Sequence, residues 1–134
     1  MSRNVLYING GNIHDITSFY TEINRVFMAG ETWTLGESLD ALDDMLYGGY
    51  GVLQNSATAV VIWQQMEKNR TDLGEEETRR WYRKKIGHPE RFNVALFQRK
   101  LDELDELDSG SGELFFDIVL EIFNSHSNIS LRKE

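Results

Sequence analysis

The chain contains no cysteine, which excludes a disulfide framework, a thiol nucleophile and any thiolate-held metal. It has no apolar run near the roughly 20 residues a membrane span needs. The opening Met1-Ser2-Arg3-Asn4-Val5 also lacks the apolar stretch of a secretory signal. The expected compartment is therefore the reducing cytoplasm, with no membrane partner. His14, His88 and His126 stand far apart, and none belongs to a spaced ligand motif such as His-Glu-x-x-His. A phosphate-cradling loop is missing too: Gly48-Gly49-Tyr50-Gly51 follows a helical pattern rather than a strand and lacks the Lys-Ser/Thr ending. The expectation is a protein that is not an enzyme, with no cofactor, no metal and no small-molecule substrate.

Positive charge is scarce. Against 22 acidic residues stand 14 Lys and Arg, a net charge of −8. Such a field repels nucleic acid and steers association with a basic protein. Net charge by itself often serves only solubility, so the placement of the charges has to decide. With 134 residues the chain suits one domain (1–134), long enough to bury roughly two-thirds of its unfolded surface.

Val5-Leu6-Tyr7-Ile8, ended by Asn9-Gly10-Gly11, reads as a buried strand and a turn. Thr17 is placed to cap a helix in which Phe19, Tyr20, Ile23, Val26 and Phe27 recur at helical spacing up to about Gly30. Ser38 then caps a short helix through about Tyr47, closed by the glycines from Gly48. Ala57 to Trp63 is β-branched without alternation, the pattern of a central strand covered on both faces. Glu75 to Ile86 reads as a surface helix, and Pro89 can open the next one, where Val94, Phe97, Leu101 and Leu104 repeat through Asp108. Its run Leu101-Asp102-Glu103-Leu104-Asp105-Glu106-Leu107-Asp108 reads as a helix with a solvated acidic side. Ser109-Gly110-Ser111-Gly112 breaks the pattern before a helix from Glu113 to Ser125 and a closing strand from Asn128 to Leu131. Strands separated by helices imply an α/β fold with a small parallel sheet of three strands.

The informative helix is the one beginning at Ser38. At 100° per residue, Asp40, Asp43, Asp44 and Tyr47 share a sector of roughly 80° to 100°. Leu39, Leu42, Met45 and Leu46 take the opposite side. Asp40 lies where the helix dipole favours a carboxylate; Asp43 and Asp44 lie towards the end where it does not. Like charges three and four apart cost roughly 0.2–0.5 kcal/mol per pair, and no lysine or arginine within the helix relieves them. Charge held against local stability points to binding. A second row, Glu113, Asp117 and Glu121, follows i, i+4, i+8 opposite an apolar stripe.

These residues resemble the barstar family, intracellular protein inhibitors of small bacterial ribonucleases. The likeness rests on Val5-Leu6-Tyr7-Ile8-Asn9-Gly10, on Gly36-Glu37-Ser38-Leu39-Asp40-Ala41-Leu42-Asp43-Asp44-Met45-Leu46 with Gly48, and on Val119-Leu120-Glu121-Ile122-Phe123 leading to Asn128-Ile129-Ser130-Leu131. Ala57 to Trp63 with Gln64-Gln65-Met66-Glu67 also fits. The resemblance implies a three-stranded parallel sheet packed by helices, with residues 70–112 a helical insertion relative to short members. It also implies that the acidic helix plugs a nuclease active site, its carboxylates standing in for RNA phosphates. The family's key helix aspartates fall on Asp40 and Asp44, and its later glutamate falls on Glu121. Ser38, Leu39 and Gly48 match contact positions. Where the founding member has aromatic contacts, this chain has Thr34, Asp43 and Gly49; Tyr47, Tyr50 and Trp33 are candidate replacements. The partner so implied is a basic ribonuclease or related nuclease toxin, and the second reading is an adaptor for a basic protein that is not a nuclease.

Two other readings attach to local clusters. Arg79, Arg80, Arg83, Lys84 and Lys85 around Trp81 and Tyr82 are the residue types that hold single-stranded RNA. The net acidity and the i, i+4 pairs Glu75–Arg79 and Glu76–Arg80 favour instead a solvated helix with no direct nucleic-acid contact. Asp40, Asp43 and Asp44 offer oxygen ligands for a divalent cation, but on one helix face they lack a wrapping loop.

Overall fold

A computed structural model describes residues 4–55, 58–105 and 113–134. Three parallel strands, β1 (Asn4–Asn9), β2 (Ala59–Gln64) and β3 (Ile129–Lys133), form one sheet in the order β1-β2-β3. Val61 is registered with Leu6 on one side and Leu131 on the other. Alternation along the strands then sorts the faces. Leu6, Ile8, Ala59, Val61, Trp63, Ile129 and Leu131 face or pack on the main core. Val5 and Tyr7, on the other face, are 47% and 50% exposed. The central strand is covered on both faces as expected, with Val61 and Trp63 buried on one and Val60 on the other, whereas β1 is less buried than expected because its second face is open. The expected strand start at Ala57 lies outside the described residues.

The connections between strands are helical. Helix α1 (Ile16–Phe27) contributes Phe19, Tyr20, Ile23 and Phe27 to the core. Its cap is Asp15 rather than the expected Thr17: Asp15 accepts from the Ser18 N–H, and Ser18 Oγ accepts in return from the Asp15 N–H. Such a reciprocal box satisfies two donors that a lone threonine cannot. Helix α2 (Leu39–Leu46) buries Leu42, Met45 and Leu46.

Helix α3 (Met66–Asp72) was not evident from apolar spacing, because only Met66 and Asn69 of its residues are buried. What fixes it is a polar contact. Asn69 Oδ1 accepts from Trp63 Nε1 at 2.7 Å, and its amide donates to the carbonyls of Gly10 (3.1 Å) and Ile13 (3.3 Å). A Cβ on Gly10 would lie 2.2 Å from the Gln64 carbonyl oxygen and 2.5 Å from Asn69 Oδ1, so only glycine allows this closure.

Helix α4 (Glu75–Ile86) and helix α5 (Val94–Asp105) pack against each other around Tyr82, Leu101 and Leu104. Helix α4 is less superficial than expected, since Thr78 and Tyr82 are buried. Thr78 Oγ1 accepts from the Phe115 N–H at 2.9 Å, and Trp81 meets Phe115 edge-on at 5.0 Å, which ties the hairpin to the main core. Pro89 lies in a turn instead of opening α5, and Asn93 caps that helix by accepting from the Leu96 N–H. The expected continuation of α5 to Asp108 and the Ser109–Gly112 break lie outside the described residues. Helix α6 (Phe115–Asn124) starts two residues later than expected.

Candidate functional site

Helix α2 is fixed by local chemistry at both ends. Ser38 Oγ accepts from the Ala41 N–H at 3.2 Å, satisfying an otherwise free donor of the first turn. Gly48 has φ +90°, and a Cβ there would also meet the Leu53 carbonyl oxygen at 3.1 Å. Its matched position is therefore explained by the helix stop itself. Between these ends the leucines and Met45 hold one side in the core, and Asp40, Asp44 and Tyr47 are exposed on the other.

The three aspartates have different surroundings. Asp40 is in the first turn and has no ion pair among the described residues. Asp44 Oδ2 accepts from the Tyr50 hydroxyl at 3.0 Å, and Trp33 packs against the Tyr50 ring at 4.8 Å. Burial, then the Asp44 carboxylate, raises the Tyr50 pKa, so this phenol stays a donor. Asp43 is held from a distant segment: His126 Nε2 lies 2.7 Å from Asp43 Oδ1. The His126 side chain is only 3% exposed, and Tyr47 meets its ring edge-on at 4.5 Å. Asn128 adds a donor to the Leu46 carbonyl at 3.1 Å, capping the end of α2. The repulsion expected at Asp43 is thus answered from outside the helix.

Helix α2 packs beside α6, and this brings the two acidic rows together. Asp40, Asp43, Glu113 and Glu121 line one surface hollow together with Leu39, Ile118, Ile122 and Lys100 of α5. Glu121 is therefore a neighbour of the α2 carboxylates, which sequence alone left open. Glu113 precedes α6 rather than belonging to it, so the expected i, i+4, i+8 row is not one helical row. Asp117 is exposed and is not among the residues lining the hollow. Four carboxylates with one lysine make a strongly negative concavity suited to cationic side chains.

The other candidate clusters are altered by their surroundings. Arg79 pairs with Glu75 and Asp105, and Arg80 with Glu77 instead of the expected Glu76. Tyr82 is 2% exposed and cannot stack on a base. Among the described residues no group of three or more His, Asp or Glu is gathered to hold a metal ion. His14 is exposed beside Asp15, and His88 faces Glu90. No helix among the described residues is long and apolar enough to cross a membrane.

Fold and site together define a small parallel α/β protein that presents an acidic helix and an acidic hollow at its surface. A family model described as Barstar (barnase inhibitor) matches residues 3–84, more than half of the chain. The chain belongs to the barstar family. The matched span contains β1, α1, α2, β2 and α3, with Ser38, Leu39, Asp40, Asp43, Asp44, Tyr47 and Gly48; Glu121 and His126 lie beyond it. No curated protein matches the chain.

Proposed function

We propose that this protein is an inhibitor, or immunity protein, of a basic ribonuclease or related nuclease toxin. It seats α2 in the enzyme's active site, where Asp40 and Asp44 take the place of RNA phosphates and pair with catalytic bases. Glu121 reinforces them from α6, while Ser38, Leu39, Tyr47 and Gly48 form the surrounding contact edge. Asp43 acts partly through His126, which holds the helix at its working angle. Helices α4 and α5 belong to an insertion, residues 70–112, within a single barstar-like domain. The partner is a protein; nucleic acid, membrane and small-molecule substrates are not engaged. The observation that carries this reading is the convergence of Asp40, Asp43, Glu113 and Glu121 on one hollow between two helices.

Complementary charge of this kind accelerates encounter, and deleting one member of a desolvated charge pair costs about 2–5 kcal/mol of affinity. Asp40→Ala and Asp44→Ala should therefore each weaken binding by roughly 30-fold or more. A pull-down from the source cells with wild type beside Asp44→Ala, followed by a nuclease assay on the captured protein, tests this. Recovery of a basic nuclease by wild type only, and its inhibition, supports the proposal. A basic protein without nuclease activity, captured with the same dependence on Asp44, would show an adaptor instead. Full binding by both alanine variants would refute the acidic-helix mechanism.

A further inference from the structure

One flank of the acidic helix has the opposite chemistry. The last turn of α4 carries Arg83, Lys84 and Lys85, and Arg91 follows in the turn to α5. Lys84, Lys85, His88 and Arg91 line a hollow with Trp81, Phe92, Ile16 and a single carboxylate, Glu37. Among the described residues Lys84, Lys85 and Arg91 have no carboxylate partner within ion-pair distance, although Arg79 and Arg80 of the same helix are both paired. In a chain of net charge −8 that contrast calls for a cause.

Lys85 is held in place. Its ammonium lies 4.9 Å from the Trp81 ring centroid, 4.3 Å from Phe92 and 5.2 Å from Phe97, within the range of cation–π attraction. The guanidinium of Arg91 lies 5.4 Å from the Phe92 centroid. Burial, then the Arg91 charge, lowers the Lys85 pKa, so an arriving anion would relieve a destabilised cation. A lysine already fixed by three rings also loses little side-chain freedom on binding.

The hollow runs into the site on α2. A groove has Lys85, Arg91 and Phe97 on one wall and Glu37, Ser38 and Asp40 on the other. A uniformly basic partner seated on Asp40 would press like charge against Lys85 and Arg91. We infer that the basic, aromatic-lined hollow at the end of α4 and the turn that follows it is a second contact site, receiving an acidic patch that borders the basic centre of the protein partner seated on α2. This rests on the inhibitor reading for the identity of the partner, and it makes the α4–α5 hairpin a selector among basic partners. RNA is the weaker occupant, because Tyr82 is buried and Lys85 already occupies the three rings against which bases would stack.

The test is an amide NMR titration of the full chain with three probes: an octaglutamate peptide, an octalysine peptide and octauridylate. Octaglutamate should shift the amides from Lys84 to Phe92 in a salt-sensitive manner. Lys84→Glu/Arg91→Glu, two exposed changes that leave the melting temperature unaltered, should weaken it by roughly tenfold, the combined effect of two exposed charge reversals. Octalysine should shift α2 and Glu121 and be undiminished in that variant. Tighter binding of octauridylate than of octaglutamate in this hollow would overturn the inference, as would no response there to octaglutamate. Failure of octalysine alone, with octaglutamate still bound, would count against the reading of α2 and leave the second site standing.

Discussion

The contact between Asp43 and His126 makes a prediction whose sign depends on background. In the wild type, Asp43→Ala removes the one polar partner that the buried His126 imidazole has among the described residues. Leaving such a group unsatisfied costs about 1–3 kcal/mol. The same change removes a like-charge neighbour of Asp40 on α2, returning about 0.2–0.5 kcal/mol. The net loss should be about 1–2 kcal/mol, a measurable part of the 5–15 kcal/mol typical of folded domains. With His126→Ala already present there is no imidazole to strand, and only the repulsion remains to be relieved. Asp43→Ala should then be neutral or stabilising by a few tenths of a kcal/mol. The coupling from the double-mutant cycle should be about 1–3 kcal/mol, the full cost of stranding the imidazole. Urea unfolding followed by tryptophan fluorescence gives the four free energies, provided the transitions keep a common slope. Equal costs for Asp43→Ala in both backgrounds would mean that His126 does not hold the helix, and would refute the reasoning.

Two further outcomes follow from the same geometry. Gly48→Ala forces a Cβ into a left-handed conformation 3.1 Å from the Leu53 carbonyl oxygen and should cost about 1–2 kcal/mol; a melting curve as stable as wild type would show that the helix stop relaxes freely. Burial pushes the Glu22 carboxyl up, but hydrogen bonds from Arg25, Asn12 and the Asn9 N–H outweigh it and leave the pKa below the usual 4.5. A depressed carboxylate pKa contributes stability above the unfolded value that is lost as pH falls through the folded one. Glu22→Gln should therefore be less stable at neutral pH and lose less on acidification below about pH 4.5, which denaturant midpoints across pH 3–7 will show; parallel wild-type and variant curves would contradict the assignment.

Sequence by itself determined what depends on neighbours along the chain. Ser38 caps α2, Gly48 stops it, and the 3.6-residue turn separates Leu42, Met45 and Leu46 from the aspartates. The apolar run ended by Asn9-Gly10-Gly11 located β1, and the β-branched run up to Trp63 located β2, for the same reason, since turn chemistry and strand preference are local. The misplaced caps at Thr17 and Pro89 were local choices too, decided by the Asp15–Ser18 box and by Asn93, which offered better partners to free backbone groups. Helix α3 carries no periodic stripe to mark it in the sequence, because a single buried asparagine, bonded to Trp63 and Gly10, fixes it.

Tertiary structure alone decided how the site is assembled. His126 reaches Asp43 across 83 residues of sequence, and Asn128 reaches Leu46 across 82. Glu121 joins Asp40 only because α6 packs beside α2, and the basic wall of α4 faces Asp40 only because the α4–α5 hairpin folds back against it. Spacing along a helix sets which side chains share a face, but which faces meet is settled by burying apolar stripes against one another. That is why the acidity of α2 was legible residue by residue, while its anchoring histidine, its glutamate neighbour and its basic flank came into view only in the fold.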